Sequence, residues 1–269
     1  MKCLRYTCLV IGLSALIIGC SSERKSEQSA ELTVYVAASM AKAIQEAAIE
    51  FQSQTECTIH LNSASSGALA NQLLAAPRAD LFFSANENWM DQLQAADRLQ
   101  DGSRQVIAQN RLILVGSKQY PRNGLEGPAI LCQGTYQFIA IGAPQFVPAG
   151  QYAKTWLENL KCPVSGDLWQ HVKSKIIRAP DATAVIGYVK GSAQTLGMVY
   201  YTDFLTAESE LTALYEVPME KMDPIHYSAA VINGTDDASL AESFLEFLTA
   251  SNGRSILESY GFQAPQDIH

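Results

Sequence analysis

Leu32-Thr33-Val34-Tyr35-Val36-Ala37-Ala38-Ser39 decides the architecture: an apolar run rich in β-formers stops at a small hydroxyl residue, and helical spacing begins at once. From Met40 to Gln52, residues Ala43, Ile44, Ala47, Ala48 and Phe51 recur at intervals of three and four, the apolar stripe of a helix packed on a sheet. Downstream the same alternation repeats. Thr58–Leu61 reads as a second strand and Ala68–Ala76 as a second helix. Asp80–Ala85 is a third strand, with Trp89, Met90 and Leu93 on the helix after it. Buried strand then helix, repeated, predicts an α/β fold of mostly parallel sheets flanked by helices on both faces.

Ile107–Val115 is a longer β run with polar residues in its middle, and a strand of that length can leave one lobe and enter another. Alternation resumes with Phe138–Gly142, a helix after Pro148, Ser174–Arg178, a helix over Thr183–Lys190, and Leu196–Tyr200. Tyr227–Ile232 is again strand-like, and Ala238–Leu248 and Ser251–Tyr260 read as two closing helices. Two crossings between similar α/β halves predict a hinged pair of lobes with a cleft between them.

The first residues read as an export signal. Lys2 and Arg5 form a basic start, Leu9–Gly19 is apolar apart from Ser14, and Ile17-Ile18-Gly19-Cys20 looks like a lipobox. Residues 1–19 are therefore expected to be a lipoprotein signal peptide, with Cys20 the lipidated residue. The apolar run is too short to span a bilayer, which disfavours an uncleaved anchor. Residues 20–31 are polar and predict a flexible tether. Removing residues 1–19 takes the formal net charge from −8 to −10, which argues against a nucleic-acid partner. The remaining length, about 240 residues, suffices for two lobes of ordinary size.

Of the remaining cysteines, Cys132 precedes the strand at Phe138 and Cys162 follows the helix-like stretch Tyr152–Leu160. A helix returning antiparallel to its strand brings those ends together, so a Cys132–Cys162 disulfide is sterically sensible in an oxidising compartment; free thiols at Cys57, Cys132 and Cys162 are the alternative. No CxxC or Cys/His spacing suited to zinc is present.

Four strand-to-helix junctions carry the chemistry: Ala37-Ala38-Ser39, Ser63-Ala64-Ser65-Ser66-Gly67, Val147-Pro148-Ala149-Gly150 and Pro180-Asp181-Ala182-Thr183. A helix start leaves backbone N–H groups unpaired at the positive end of the dipole, and several aimed at one spot hold an anion. A hydroxyl at such a start can also be a plain N-cap. Pro148 suits a first-turn position and leaves the following N–H groups free, and in open α/β sheets ligands lie beyond the carboxyl ends of the strands. No Lys or Arg stands at any junction, which suits neutral donors around a small, fully ionised oxoanion. There is no Gly-x-Ser-x-Gly elbow, and His60, His171, His226 and His269 flank none of the serine junctions. GxGxxG and Walker A motifs are absent too, so no nucleotide and no cofactor is expected.

These junctions, with Ala79–Ala85, Trp89-Met90-Asp91, Val147–Lys154 and Leu196-Gly197-Met198-Val199-Tyr200, resemble the molybdate-binding proteins of bacterial ABC importers over Leu32–Phe262. The resemblance implies a two-lobed periplasmic-binding-protein fold with the ligand in the interlobe cleft. It implies lobe I at 32–107 plus 228–269, and lobe II at 108–227. It further implies an oxoanion held by the hydroxyls of Ser39 and Ser66, the amides of Ala149 and Ala182, and the hydroxyl of Tyr200 rather than Tyr201. One departure stands at the fourth junction, where the family often has Asp-Val-Arg or Asn-Val-Arg and this chain has Asp181-Ala182-Thr183. A backbone donor is indifferent to its own side chain, so Ala182 can still serve. A pocket that only donates suits a tetrahedral dianion carrying no proton and disfavours hydrogen phosphate, whose O–H lacks an acceptor. The implied partners are molybdate or tungstate, a membrane ABC permease with its ATPase, and the cell envelope through a lipid anchor, with the protein itself a monomer and not an enzyme. Alternatives are another oxoanion such as sulfate, a secreted serine hydrolase, or a lipid-anchored interaction module without a ligand.

Overall fold

A computed structural model of the chain describes residues 30–121, 123–163 and 165–265. The signal peptide 1–19, Cys20, most of the expected tether and His269 lie outside the described residues. The first half runs β1 (Ala30–Ala37), α1 (Ala41–Gln54), β2 (Cys57–Ala64), α2 (Ser66–Ala75), β3 (Leu81–Ser84), α3 (Glu87–Ala95) and β4 (Gln105–Asn110). Next come β5 (Leu112–Ser117), α4 (Ala129–Gln133), β6 (Phe138–Gly142), α5 (Pro148–Glu158), β7 (Lys161–Cys162), β8 (Gly166–Asp167), α6 (Leu168–Val172) and β9 (Ile176–Ala179). The chain closes with α7 (Ala182–Lys190), β10 (Thr195–Tyr200), α8 (Tyr201–Leu205), β11 (Leu211–Glu216), β12 (Ile225–Val231), α9 (Ala238–Thr249) and α10 (Ser251–Ser259).

Two five-stranded sheets result, ordered β2-β1-β3-β12-β4 and β11-β5-β10-β6-β9. In the first, β1 pairs in parallel with β2 and β3, whereas β12 is antiparallel to both β3 and β4. In the second, β6 is parallel to β10 and β9, whereas β5 is antiparallel to both β10 and β11. Each sheet thus has one reversed strand, and each reversed strand is the one that has just entered from the other lobe. The reason is geometric. Strands that end at the cleft point toward it, so a chain arriving across the cleft must start there and run away.

The strand alternation sends side chains to opposite faces. In the first sheet Val34, Val36 and Phe83 pack with Phe51 and Phe244, while Tyr35 and Phe82 pack with Leu69, Leu73 and Met90. In the second, Leu114, Ile139 and Met198 pack with Trp156 and Leu157, while Val115, Ala140 and Val199 pack with Val185 and Val189.

Several expectations need correction. Ala30 and Glu31 belong to β1, paired with Cys57 and Thr58, so the expected tether 20–31 overlaps the first sheet by two residues. The long β run is two strands, broken at Arg111, whose guanidinium lies 3.8 Å from the Tyr201 ring centroid and whose Nη1 donates to Glu216 at 2.7 Å. Residues 108–110 and 225–227 pair within the first sheet. The lobe boundaries expected at 107/108 and 227/228 therefore move to the neighbourhood of Arg111 and to residues 217–224. The strand expected at Ser174–Arg178 starts at Ile176, after a short 3-10 turn over Lys173–Lys175. Strands β7, β8 and β11 and the short helices α4, α6 and α8 carry no hydrophobic period that announces them. Cys132 and Cys162 are joined by a disulfide with 5.6 Å between Cα atoms, and Cys57 is a half-buried free thiol.

Candidate anion-binding site

The four junctions converge on one small cavity between the lobes, and Ser39, Ser66, Ala149, Ala182 and Tyr200 all line it. Its other walls are Ala37, Ala38, Ser65, Ala85, Val147 and Pro148, so no charged side chain faces the space. The space is small as the lobes stand, about 10 Å³. Ser39 and Ser66 come from the first lobe; Ala149, Ala182 and Tyr200 come from the second.

Each donor is prepared locally. Ser65 is the N-cap of α2, its hydroxyl accepting from Ala68 N at 3.4 Å, which leaves Ser66 at the first helical position. Ser66 is fully buried, and its Oγ accepts from Ala85 N at 3.1 Å. A serine hydroxyl has one hydrogen, so with that lone pair used the Ser66 hydrogen is left to donate. At α5, Pro148 occupies the first turn, and the Gly150 and Gln151 N–H groups return to Val147 O at 3.0 and 3.1 Å. Ala149 N–H has no backbone partner among the described residues. Gly150 permits this start, because a β-carbon there would lie 1.9 Å from Gly142 O at the end of β6. At α7 the Asp181 carboxylate caps Ala184 N at 2.7 Å, and Ala182 N–H has no backbone partner among the described residues.

Tyr200 is the most telling member. It is 1 % exposed, and its hydroxyl meets no partner in full hydrogen-bond geometry among the described residues, with the Tyr227 hydroxyl its nearest polar neighbour in effect. A buried orphan hydroxyl is rare and costly unless something else satisfies it. Burial, together with neighbouring Tyr227, Tyr152 and Asp203, holds its pKa well above the ordinary phenol value, so it stays a donor. Tyr201 instead stacks under Arg111 and against Phe204, at 6.1 Å between ring centroids, and takes the packing role.

Behind the five donors lies a layer that sequence patterns missed. Ser39 Oγ is 2.8 Å from Tyr227 Oη, and Asn110 Nδ2 donates to Tyr227 Oη at 3.2 Å and to Thr202 Oγ1 at 2.9 Å. The polar interruption Gln109-Asn110-Arg111 inside an apolar run was the available signal. An adjoining cavity, sharing Ala38 and Ser39, holds Lys42, Thr183 and Asp203. Desolvation pushes the Asp203 carboxyl up to about 7, with Asp181 adding to the rise and Lys42 and the Tyr200 backbone opposing it. No histidine lines either cavity. His60 sits instead beside Glu31 at 3.4 Å on an exposed surface, so no serine here has a neighbouring imidazole base.

A two-lobed α/β fold with converging helix starts in its cleft defines an extracytoplasmic solute-binding protein, and residues 32–263 match the model of that family, bacterial extracellular solute-binding proteins. The chain belongs to this family. It is 32 % identical over 269 residues to YvgL of Bacillus subtilis (strain 168), assigned as an ABC transporter substrate-binding lipoprotein, covering 97 % of this chain and 98 % of that protein. It is 29 % identical over 243 residues to the molybdate-binding protein ModA of Haemophilus influenzae, covering 88 % of this chain and 91 % of that protein. The fold also matches the periplasmic molybdate-binding protein of Azotobacter vinelandii, with a TM-score of 0.77 and 23 % identity over 87 % of this chain and all of that one.

Proposed function

We propose that the protein binds molybdate or tungstate outside the cytoplasm and delivers it to a membrane ABC importer, with Ser39, Ser66, Ala149, Ala182 and Tyr200 as the ligand cage. The observation that carries this is the buried, unpartnered Tyr200 hydroxyl in a cavity lined by two serines and two free backbone amides. Every one of these groups donates, and none is a carboxylate. A site that offers donors alone satisfies the four oxygens of a proton-free dianion and leaves the O–H of hydrogen phosphate without an acceptor. Three helix starts supply the favourable potential without a formal charge. Because each lobe contributes part of the cage, the ligand favours the closed arrangement, and a permease can distinguish the loaded form. The likeness to ModA supports molybdate over sulfate. Cys20 after Ile17-Ile18-Gly19 and the likeness to YvgL support a lipid anchor.

The test is thermal unfolding with molybdate, tungstate, sulfate and phosphate in turn, on wild type and on Ser39→Ala, Ser66→Ala and Tyr200→Phe. Molybdate and tungstate at about 100 times Kd should raise stability by about 2.7 kcal/mol. Each variant should lose a large part of that gain. A shift with sulfate alone would reassign the ligand, and no shift with any of them would refute the oxoanion site.

A further inference from the structure

Resting on the oxoanion reading above, we propose that Asn110, which does not line the cavity, is the positioning residue that keeps the Ser39 hydrogen free to donate to the bound anion, acting through Tyr227.

Asn110 ends β4 at the crossing between the lobes and is 4 % exposed. Its orientation is set by the backbone, because Arg111 N donates to its Oδ1 at 2.8 Å. The amide hydrogens therefore face the hydroxyls, one toward Thr202 Oγ1 at 2.9 Å and one toward Tyr227 Oη at 3.2 Å. Tyr227 is fully buried and held edge-on between the rings of Phe262, at 5.0 Å, and Tyr200, at 5.7 Å. A phenol has a single hydrogen. With Asn110 donating to Tyr227 Oη, Ser39 Oγ at 2.8 Å is placed to accept that hydrogen. Ser39 thereby accepts from behind, and its own hydrogen is left for the cavity.

Without a donor behind Tyr227, Ser39 could spend its one hydrogen on Tyr227 Oη and offer the ligand only lone pairs. The amide at 110 sets the direction that leaves the hydrogen for the ligand, and the Ala85 N–H likewise leaves the Ser66 hydrogen unspent. Replacing Asn110 by Asp should reverse the chain: a carboxylate only accepts, Tyr227 would donate to it, Ser39 would donate to Tyr227, and Ser39 would turn a lone pair toward the ligand.

The experiment is calorimetric titration at pH 8 of wild type, Asn110→Asp and Tyr227→Phe with molybdate and with hydrogen arsenate. Both anions are dianions there, so the added charge at position 110 affects each alike, and only the arsenate carries a proton. Asn110→Asp should weaken molybdate by about 10- to 100-fold and shift the molybdate-to-arsenate affinity ratio toward arsenate by about tenfold or more. Tyr227→Phe, which frees the Ser39 hydroxyl to turn, should shift the ratio in the same direction by less. An unchanged ratio in Asn110→Asp overturns the proposal; should that variant not fold, an unchanged ratio in Tyr227→Phe overturns it instead. Wild type that binds neither anion would refute the underlying oxoanion site, a result distinct from variants that bind both with wild-type selectivity.

Discussion

Substituting Gly67 by Ala should weaken ligand binding by obstructing lobe closure. Gly67 is the second residue of α2 in the first lobe, and its N–H donates to Phe146 O, in the segment before α5 of the second lobe, at 3.0 Å. A β-carbon there would lie 2.6 Å from Phe146 O, 2.8 Å from Phe146 Cα and 2.6 Å from Trp89 Cζ2. The indole belongs to the same lobe and can shift with it, whereas the Phe146 atoms are backbone. Relief from them requires the lobes to separate by several tenths of an ångström at this point. Overpacking of this kind costs about 1–3 kcal/mol, and the Phe146 part falls on the closed form alone. Alanine also stabilises a helix relative to glycine by about 0.5–1 kcal/mol, in both forms. In the proposed cage the donors come from both lobes, so apparent affinity should scale with the closed fraction. We expect molybdate affinity to fall by about 5- to 150-fold, as 1–3 kcal/mol implies, while the ligand-free Tm moves by only a few degrees. Calorimetric titration and ligand-free melting measure the two quantities. Wild-type affinity in Gly67→Ala would refute the reasoning, and so would an affinity loss matched by an equal loss of ligand-free stability, which would place the clash on Trp89.

Replacing Cys132 and Cys162 by serine opens a loop of sequence separation 30, for which the chain-entropy model gives a loss of about 3.7 kcal/mol; denaturant unfolding that shows less than about 1 kcal/mol of change would contradict it. Asp203 makes stability depend on pH with a definite sign. Its folded pKa, about 7, lies above the ordinary carboxyl value of 3.8, so the native state holds more protons between those values and this contribution declines as pH rises through that window. The Tm advantage of Asp203→Asn over wild type should therefore grow from pH 5 to pH 8, and a pH-independent difference would show that Asp203 is not desolvated.

Much of the fold was legible because burial imposes a local signature. Val34, Val36, Leu81 and Phe83 sit in unbroken apolar runs because strands covered by helices on both faces see no solvent. The helices declare themselves through stripes such as Ala43, Ile44, Ala47 and Phe51. Short edge elements left weaker marks: β11 is half-exposed, with Thr212 and Ala213 between Leu211 and Leu214, and α4 and α6 are too short for a helical period. The break at Arg111 was masked because β4 and β5 are both largely buried and stand one residue apart; only their assignment to different sheets separates them.

The site divides along the same line. Three of the four junctions are written in local chemistry, since the N-caps Ser65 and Asp181 and the first-turn Pro148 need only their own neighbours to act, whereas Ser39 lies in a 3-10 turn and caps no helix; the family resemblance then singles out the donors. The sequence by itself therefore determined the α/β class, the two-lobe plan and the candidate donors at Ser39, Ser66, Ala149, Ala182 and Tyr200. Tertiary structure alone decided that these meet in one cavity, that Gly67 touches Phe146 across the cleft, and that Asn110 reaches Ser39 through Tyr227. Asn110 and Tyr227 are 117 residues apart, and Ser39 and Tyr227 are 188 apart. Hydrogen bonds that close over such separations leave no period in the chain, because a polar residue inside a buried strand looks alike whether it is an interruption or an anchor until its partner is folded against it.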